Sequence, residues 1–494
     1  MLPMIGLVEH ERTTVRLSFA AAAGWIVAFS RAFWYQAGLT EVYLLNAAIF
    51  AGVIVLVIRA VARQERRWFW AACALCGVGA ANHTMTFAIL APGLGVVGVW
   101  LATRQQMTAK SRKRRPLAPS EPLTRRLARL FGPALLLGLL GLTLYAYLPL
   151  RAAKEPPRNW GDPSSFGRFL WSVRGGEFAR NYLLKAQPGV PFDSNTYPPF
   201  FRRRIGEWLA WTGEQILPLP REQTALCALV GFIILAVSFA GWMSVARQMP
   251  IFAAFLAVAA GVNLFLISIY NIADIQGYFF PMHVISVICI FVFCAKMHYL
   301  AESRLLAARS DLLAALFLAL PAIAWLGGRS HCDHSNYDAA ERYGREVLAR
   351  LENDAMILTH GDYDIHPLWY QQVVERRRRD VVVLGANWLA TPGYAKSFAG
   401  RYDPPVAAPQ LSETPVGAEA FYKVLVEEVM RPNLERRPLY STQFDSRMKA
   451  RAEQIEIPVF QDDSEVNVDE RPYLPKPWLY RLQSVRLNST SVSH

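Results

Sequence analysis

Long apolar stretches decide what this chain can fold into. A helix that crosses a bilayer needs about 20 mostly apolar residues, and 53% of this 494-residue chain is hydrophobic while only 18% is charged. The sequence therefore predicts an α-helical polytopic membrane domain over residues 1–327, with a long loop at 150–223. We place about nine spans, at roughly 14–30, 42–58, 68–82, 84–101, 131–149, 224–244, 251–270, 282–297 and 311–327.

Basic residues lie in three of the connecting loops. Loop 59–67 carries four arginines, loop 102–130 carries nine lysines and arginines, and Lys296, Arg304 and Arg309 follow another span. Lys and Arg are enriched in cytoplasmic loops, so we predict that these loops face the cytoplasm. We expect a multi-pass protein of a bacterial cytoplasmic membrane. Its extracytoplasmic parts are then 31–41, 82–84, 150–223, 270–281 and the tail after 327.

The basic residues behind the net charge of +13 lie largely in these loops beside apolar segments, which favours a membrane protein. No zinc-finger or RNP pattern occurs, so a nucleic-acid-binding protein is not expected. Cys73 and Cys76 form a CxxC pair within an apolar segment. They are predicted to pack rather than to bind metal, since no second ligand pair is near. The HCDH run at 331–334 is likewise not expected to bind a metal.

From about residue 328 the sequence changes to that of a soluble domain. Segments 355–361 and 380–387 have the pattern of buried strands, and an amphipathic helix is predicted between them at 367–379. Strand, helix and strand in about 30 residues predict a βαβ unit with parallel strands. Residues 328–494 are therefore predicted to form an α/β extracytoplasmic domain. A further helix is expected at 416–430, with strands near 437–442 and 455–460.

Asp362 and Asp364 follow the first predicted strand. Ligands in open α/β sheets bind outside the carboxyl ends of the strands, so the two aspartates could hold a metal or sugar hydroxyls. The alternative is that they form the turn and cap the next helix.

The segment 159–178 combines aromatic and charged residues directly after a span. Within it, "DPSSFGRFLWSV" (162–173) is predicted to be an amphipathic helix at the membrane interface, with Asp162 as its cap and Phe166, Phe169, Leu170 and Val173 on one side.

Four segments resemble, in the same order, the protein O-mannosyltransferase-like family of GT-C membrane glycosyltransferases, which includes the vertebrate plexin-type O-mannosyltransferase. They are "FWYQAGLTEVYLLNAAIF" (33–50), "GVGAANHTMTFAILAP" (77–92), the stretch 145–178 with "NWGDPSSFGRF", and "AMILTHGDYDIHPLWYQQVVERRRRDVVVL" (355–384). The resemblance implies a GT-C-like fold that uses a polyprenyl-phosphate sugar donor and reacts at the extracytoplasmic face. That is the face to which the charge pattern assigns the same segments.

The resemblance assigns the candidate residues. Transfer needs a carboxylate that takes the proton of the acceptor hydroxyl, and Glu41 and Asp162 are the candidates. Asp274 is the only acidic residue in a short outer loop. It is a substrate-binding candidate because of this position and not because of the resemblance. The remaining substrate-binding candidates are Trp34, Gln36, Tyr43, Asn82, His83, Arg151, Asn159, Trp160, Asp362, Asp364 and Trp369.

Several of these residues have structural alternatives. Arg151 could extend to lipid headgroups, and Trp34 could belong to an interfacial aromatic belt. Glu41 could cap the helix that follows, and His83 could be a turn histidine whose hydrogen bonds are satisfied within the protein.

The chain departs from the family at its start. Family members carry an acidic D-x-G-E loop after their first span, where GT-C enzymes place the catalytic Asp, and no such stretch precedes residue 33. We therefore expect a relative that lacks the N-terminal span and acidic loop.

Three functions remain. The first is a glycosyltransferase that transfers a sugar such as mannose from polyprenyl phosphate to an acceptor protein or glycan, for example at protein Ser or Thr. The second is a catalytically incomplete homologue that binds lipid-linked sugar or a protein partner. The third is a transporter. Membrane lipid is an expected partner and nucleic acid is not. The cofactor is unknown, and a divalent metal is one option.

Overall fold

The computed structural model divides the chain into two compact units. Unit 1 comprises Met1–Ala146 and Phe178–His334, and unit 2 comprises Tyr147–Glu177 and Ser335–His494. The first part of the predicted loop 150–223 thus belongs to unit 2. The described residues are 13–39, 41–111, 121–156, 159–176, 197–215, 217, 219, 223–272, 275–303, 307–398, 401–409, 411, 418–443, 448, 450–452, 459–462 and 479–482.

The described secondary-structure elements of unit 1 are helices joined by short connections. Its helices are α1 (Thr13–Phe29), α2 (Arg31–Ala37), α3 (Tyr43–Arg63), α4 (Arg66–Asn82), α5 (Thr84–Ser111), α6 (Leu123–Leu142), α9 (Tyr197–Glu214), α10 (Thr224–Gln248), α11 (Pro250–Ile269), α12 (Phe280–Ser303) and α13 (Ala307–Cys332); α7 (Tyr147–Ala152) and α8 (Phe166–Val173) belong to unit 2. Phenylalanines fill the centre of the bundle, among them Phe50, Phe69, Phe252 and Phe280.

Every predicted span coincides with a helix, but nine spans are not confirmed. Within the described residues, six helices are long and apolar enough to cross a membrane: Tyr43–Arg63, Thr84–Arg104, Leu123–Ala152, Thr224–Gln248, Pro250–Ile269 and Ile275–Leu300. The first predicted span qualifies only as a bent pair, Leu17–Phe29 with Arg31–Ala37, which turns by 62°. The predicted spans 68–82 and 311–327 lie in α4 and α13, which are not among the six. The chain is thus a multi-pass membrane protein by the length and composition of its helices.

Glycines let helices of unit 1 approach until their backbones touch. A Cβ on Gly77 of α4 would overlap the carbonyl oxygen of Gly138 on α6. The same holds for α9 against α10 and for α10 against α12, at Gly213, Gly231 and Gly241. Small residues at helix interfaces permit close van der Waals packing in membranes, where no hydrophobic effect drives helices together. Glycine therefore determines the spacing of these helix pairs.

Unit 2 contains a five-stranded mixed sheet with strand order β2-β1-β3-β5-β4. The strands are β1 (Met356–Thr359), β2 (Val382–Gly385), β3 (Leu439–Ser441), β4 (Val459–Asp462) and β5 (Leu479–Leu482). β1 pairs in parallel with β2 and with β3, and β5 pairs antiparallel with β3 and β4. The helices are α14 (Ala339–Arg350), α15 (Asp362–Val373), α16 (Ala418–Val424) and α17 (Arg431–Leu434), the last two joined by a π-helix at Leu425–Met430.

The predicted βαβ unit is confirmed as β1–α15–β2, but its helix is placed differently. α15 begins at Asp362 and ends at Val373, whereas the prediction was 367–379. Arg376 and Arg378 adopt left-handed backbone conformations that stop the helix. The guanidinium of Arg378 donates to the carbonyl oxygens of Leu348, at 2.6 Å, and Leu351, at 2.8 Å. The arginine run thus caps the end of α14 instead of forming an exposed helix face.

Asp364 connects three parts of unit 2. Its carboxylate is buried and accepts hydrogen bonds from Thr442 Oγ1 at 2.8 Å and from the Tyr343 hydroxyl at 3.4 Å. Desolvation by burial raises the pKa of Asp364, although both hydrogen bonds oppose this shift. Asp362, two residues earlier, is exposed. The first turn of α15 therefore has one aspartate that faces the interior and one that faces solvent.

Gly77→Val should separate α4 from α6. Overpacking of this kind costs about 1–3 kcal/mol, so we expect a lower melting temperature of the detergent-solubilised chain in a fluorescence-based thermal shift. Gly132→Val is the matched control, because a Cβ at Gly132 on α6 meets no atom within 4 Å. Equal melting temperatures for the two variants would contradict the packing role of Gly77.

Asp364→Ala should loosen α15, because it leaves two buried hydroxyl groups without their acceptor at a cost of about 1–3 kcal/mol. Hydrogen–deuterium exchange of the full chain should show α15 about tenfold or more less protected. Asp362→Ala, on the same turn, should leave the protection unchanged. A loss in both variants would show that the effect does not come from the buried bonds.

The pH dependence of this site has a definite sign. Since the folded-state pKa of Asp364 lies above its usual value, folding favours the protonated carboxyl. The stability from this group is therefore fully present below the unfolded pKa and is lost as pH rises through the folded pKa. Asp364→Asn removes this titration. The protection of α15 in the variant, relative to the parent, should increase as the pH rises above about 4, the ordinary pKa of an aspartate.

Candidate functional site

Five helix ends meet at one end of unit 1. α3 begins at Tyr43, α4 ends at Asn82, and α5 begins directly after His83. α11 ends at Ile269 and α12 begins at Phe280, with a short 3-10 helix at Ile275–Phe279 before it. The predicted candidates Tyr43, Asn82 and His83 thus lie together, although the first two are 39 positions apart in the sequence.

Four rings form what we call the tyrosine–histidine cluster: Tyr43, His83, Tyr270 and Tyr278. The Tyr278 ring centroid lies 5.3 Å from those of His83 and Tyr270, and 5.8 Å from that of Tyr43. The Nδ2 of Asn263 donates to the carbonyl oxygen of Tyr278 at 3.1 Å, which fixes the loop that carries the ring.

The turn between α4 and α5 is tied to the start of α3. The Nδ2 of Asn82 donates to the carbonyl oxygen of Val42 at 3.2 Å. Burial lowers the pKa of His83, so its imidazole is neutral at neutral pH. The Nδ1 atom of His83 is buried and has no hydrogen-bond partner among the described residues. It can accept or donate one hydrogen bond to a ligand.

Glu41 lies two residues before the start of α3 and is exposed. The N-cap of α3 is Val42 and no side chain caps it, so Glu41 does not play the capping role considered above. Among the described residues no group donates a hydrogen bond to the Glu41 carboxylate or forms an ion pair with it. The carboxylate is therefore accessible to an incoming hydroxyl group.

Trp34 and Gln36 lie on the short helix α2. The Trp34 ring packs edge-to-face on Phe29, with 5.6 Å between the centroids. The Phe33 ring stacks on Phe280 at 4.3 Å, so α2 reaches the helix end at which α12 begins. The Oε1 of Gln36 is buried without a hydrogen-bond partner in the described part of the chain.

A second group of side chains lies in unit 2, and we call it the tryptophan cluster: Trp160, His366, Trp369 and Trp388. The Trp388 ring meets Trp160 edge-to-face at 4.0 Å and Trp369 at 4.9 Å between centroids. The ring centroid of His366 lies 5.8 Å from that of Trp388. Two predicted motifs about 200 residues apart in sequence, at 159–162 and 361–369, are thereby brought together.

The Asp162 carboxylate is hydrogen-bonded within its own loop. Its Oδ1 accepts hydrogen bonds from Asn159 Nδ2 at 3.0 Å and from Ser164 Oγ at 2.9 Å. Its φ of 41° is left-handed, and Gly393 approaches so closely that a Cβ there would overlap Asp162. The prediction that Asp162 caps the next helix is wrong: α8 starts at Phe166, and its N-cap is Ser165, whose side chain accepts from the Arg168 amide.

The remaining candidates are dispersed or not described. Arg151 is exposed on α7. Asp274 lies outside the described residues. No cluster of His, Cys, Asp and Glu side chains that could hold a metal ion occurs in the described part of the chain, which includes the HCDH run. The assignment of any of these residues to substrate stays a prediction.

Sequence reasoning missed several residues of both clusters. Tyr270 and Tyr278 flank the loop that contains Asp274, so the aromatic residues of that loop were the available signal. Trp388 comes three residues after the end of β2, at the sheet edge where ligand-binding residues are expected. Gly393 carried no signal, because only its contact with Asp162 reveals its role.

Family models match two parts of the chain. The model described as "Protein O-mannosyl-transferase TMEM260 N-terminal domain" matches residues 6–107, and "TMEM260-associated domain 2" matches residues 340–409. No curated protein and no solved structure matches the chain. The first match contains Glu41, Tyr43 and His83, and the second contains His366, Trp369 and Trp388. Two parts of the chain are thus similar to domains of the TMEM260 family, which confirms its resemblance to the protein O-mannosyltransferase-like family.

Proposed function

We propose that the chain is a membrane glycosyltransferase that transfers mannose from a polyprenyl-phosphate donor to Ser or Thr of an acceptor protein at the extracytoplasmic face. One observation carries the proposal: the region that matches an O-mannosyl-transferase domain places an accessible carboxylate, Glu41, next to the helix ends that hold Tyr43, Asn82 and His83. The family description supplies the sugar and the type of acceptor.

The reaction assigns a role to each group. The acceptor hydroxyl oxygen attacks the anomeric carbon, its proton passes to the Glu41 carboxylate, and polyprenyl phosphate leaves with the electron pair of the glycosidic bond. A general base of this kind contributes roughly 10²–10⁴-fold in rate. His83, neutral and with a buried nitrogen that has no partner in the described residues, would hydrogen-bond a sugar hydroxyl or the phosphate. Tyr43 and Tyr278 would border the sugar.

Glu41 is a better candidate for the base than Asp162. The Asp162 carboxylate already accepts two hydrogen bonds through Oδ1 and lies against Gly393, so its position favours a role in holding its loop. The Glu41 carboxylate has no such engagement among the described residues. We therefore assign Glu41 as the base and Asp162 as a residue that positions the tryptophan cluster.

The charge distribution supports the proposed orientation. Arg59, Arg63, Arg66 and Arg67 lie around the junction of α3 and α4, at the opposite end of these helices from Tyr43 and Asn82. α3 has 21 residues, which corresponds to about 30 Å of helix, the thickness of a bilayer core. By the preference of basic loops for the cytoplasm, Glu41 and His83 would face outward.

Glu41→Gln should reduce sugar transfer by about 10²–10⁴-fold, because it removes the proton acceptor while keeping the size of the side chain. The measurement is transfer of radiolabelled mannose from a polyprenyl-phosphate donor to acceptor protein by the purified chain. Binding of the labelled donor, measured separately, should change little. His83→Gln should weaken donor binding as well as transfer.

Asp162→Asn is the comparison variant, since it should retain most of the transfer activity. Full activity of Glu41→Gln would reject the assignment of the base. Donor binding without transfer by the unmodified chain would instead favour the catalytically incomplete homologue, and flux of solute across vesicles without transfer would favour a transporter.

A further inference from the structure

The tryptophan cluster lies at the edge of the unit 2 sheet where ligands are expected. Residues 360–366 directly follow β1, and Asn387 and Trp388 lie two and three residues after the end of β2. β1 and β2 are parallel, so their carboxyl ends meet at one edge. Outside this edge open α/β sheets bind their ligands, because the loops there diverge from the strand ends.

The cluster exposes aromatic surface there. Trp160 remains 44% exposed, and Trp388 is half-buried behind it. Trp369 is buried and also contacts Trp388 edge-to-face. Edge-to-face contacts are a favoured arrangement of aromatic rings, and here they hold the exposed indole of Trp160 on a fixed support.

Polar groups border this aromatic surface. The side chain of Asp362 is 77% exposed and that of His366 is 54% exposed, with 3.8 Å between Asp362 Oδ1 and His366 Nε2. Asn387 is exposed, and its Nδ2 donates to the carbonyl oxygen of His360, which leaves its Oδ1 as an acceptor. Hydrogen-bond acceptors therefore lie in the segments that follow both strands, Asp362 beside the His366 ring and Asn387 next to Trp388 in the chain.

The backbone holds Trp160 in place before any ligand arrives. Gly161 and Asp162, the next two residues, have φ values of 67° and 41°, and Gly393 has 78°. Asp162 and Gly393 are in direct contact. A non-glycine residue in this region costs free energy and is found mostly where surrounding contacts enforce it, which is common at binding sites. The exposed tryptophan is thus part of a preorganised surface.

We propose that unit 2 carries a carbohydrate-binding site of its own, in which a pyranose ring lies on Trp160 and its hydroxyl groups donate to Asp362 and Asn387. The C–H face of a pyranose is apolar and complements the electron-rich face of an indole ring. A few placed polar groups beside an aromatic surface then orient the ring. The site binds sugar without a reaction and consists of unit 2 residues only, so it goes beyond the transfer proposed for Glu41.

The test measures binding of methyl pyranosides to the full-length chain by saturation-transfer-difference NMR. The methyl glycosides of mannose, glucose and galactose serve as probes, and the detergent must have no sugar head group, since that would compete. We expect at least one probe to bind, with Trp160→Ala and Asp362→Asn each weakening it about tenfold or more. Asp362 is so exposed that Asp362→Asn should not affect folding.

Trp325→Ala is the matched control. Trp325 is a tryptophan of similar exposure, 39%, on α13 of unit 1, and its removal should leave pyranoside binding unchanged. Glu41→Gln should also bind the probe normally while it loses transfer, which separates this site from the proposed reaction.

The proposal would be overturned if the parent chain bound none of the pyranosides. It would also be overturned if the Asp362→Asn and Trp160→Ala variants bound the probe as well as the parent chain does. Binding of an unglycosylated Ser/Thr peptide that depends on Trp160, without pyranoside binding, would reject the sugar in favour of a peptide site. Absence of transfer in a chain that binds pyranoside through Trp160 would contradict the proposed function and leave this inference intact.

Discussion

Backbone contact between helices at glycine is the interaction on which unit 1 depends. Where Gly77 faces Gly138, and where Gly213, Gly231 and Gly241 face their neighbours, no side chain separates the two backbones. In a bilayer the tails of lipids are as apolar as the helices, so close packing must replace the hydrophobic effect as the source of association. Each such contact sets the distance between two helices and also limits how far they can slide. The position of the helix ends follows from this constraint.

The tyrosine–histidine cluster is a consequence of that alignment. α4 ends at Asn82, five residues after the contact at Gly77, and the turn that follows carries His83. α3 and α12 begin nearby, which brings Tyr43 and Tyr278 within reach of the imidazole. A wider bundle would leave these polar side chains in separate loops. The packing of the bundle interior and the chemistry proposed for its end are thus linked through helix length.

Unit 2 uses a different device, the parallel pairing of β1 with β2. Pairing places the ends of both strands at one edge, and α15 begins there with Asp362 and Asp364. Only the second aspartate turns inward, to Thr442 and Tyr343. The first remains at the surface beside His366. One helical turn therefore provides both a buried anchor for the domain and a polar side chain for the tryptophan cluster.

The sequence by itself determined the properties that local composition encodes: which segments are helical, that several helices are long and apolar enough to cross a membrane, and that β1, α15 and β2 form a βαβ unit. It also pointed to Tyr43, Asn82, His83, Trp160 and Trp369, because their motifs resemble those of a family. Only the tertiary structure decided which of these meet, since ring contacts between Trp160 and Trp388 or between His83 and Tyr278 join residues far apart in sequence. Local patterns contain no information on such contacts. The same reason explains the two wrong predictions. Asp162 was predicted to cap a helix, but its contact with Gly393 depends on a distant part of the chain. α15 was predicted to begin and end too far along the sequence, because the left-handed backbone at Arg378 depends on neighbours that no local pattern specifies.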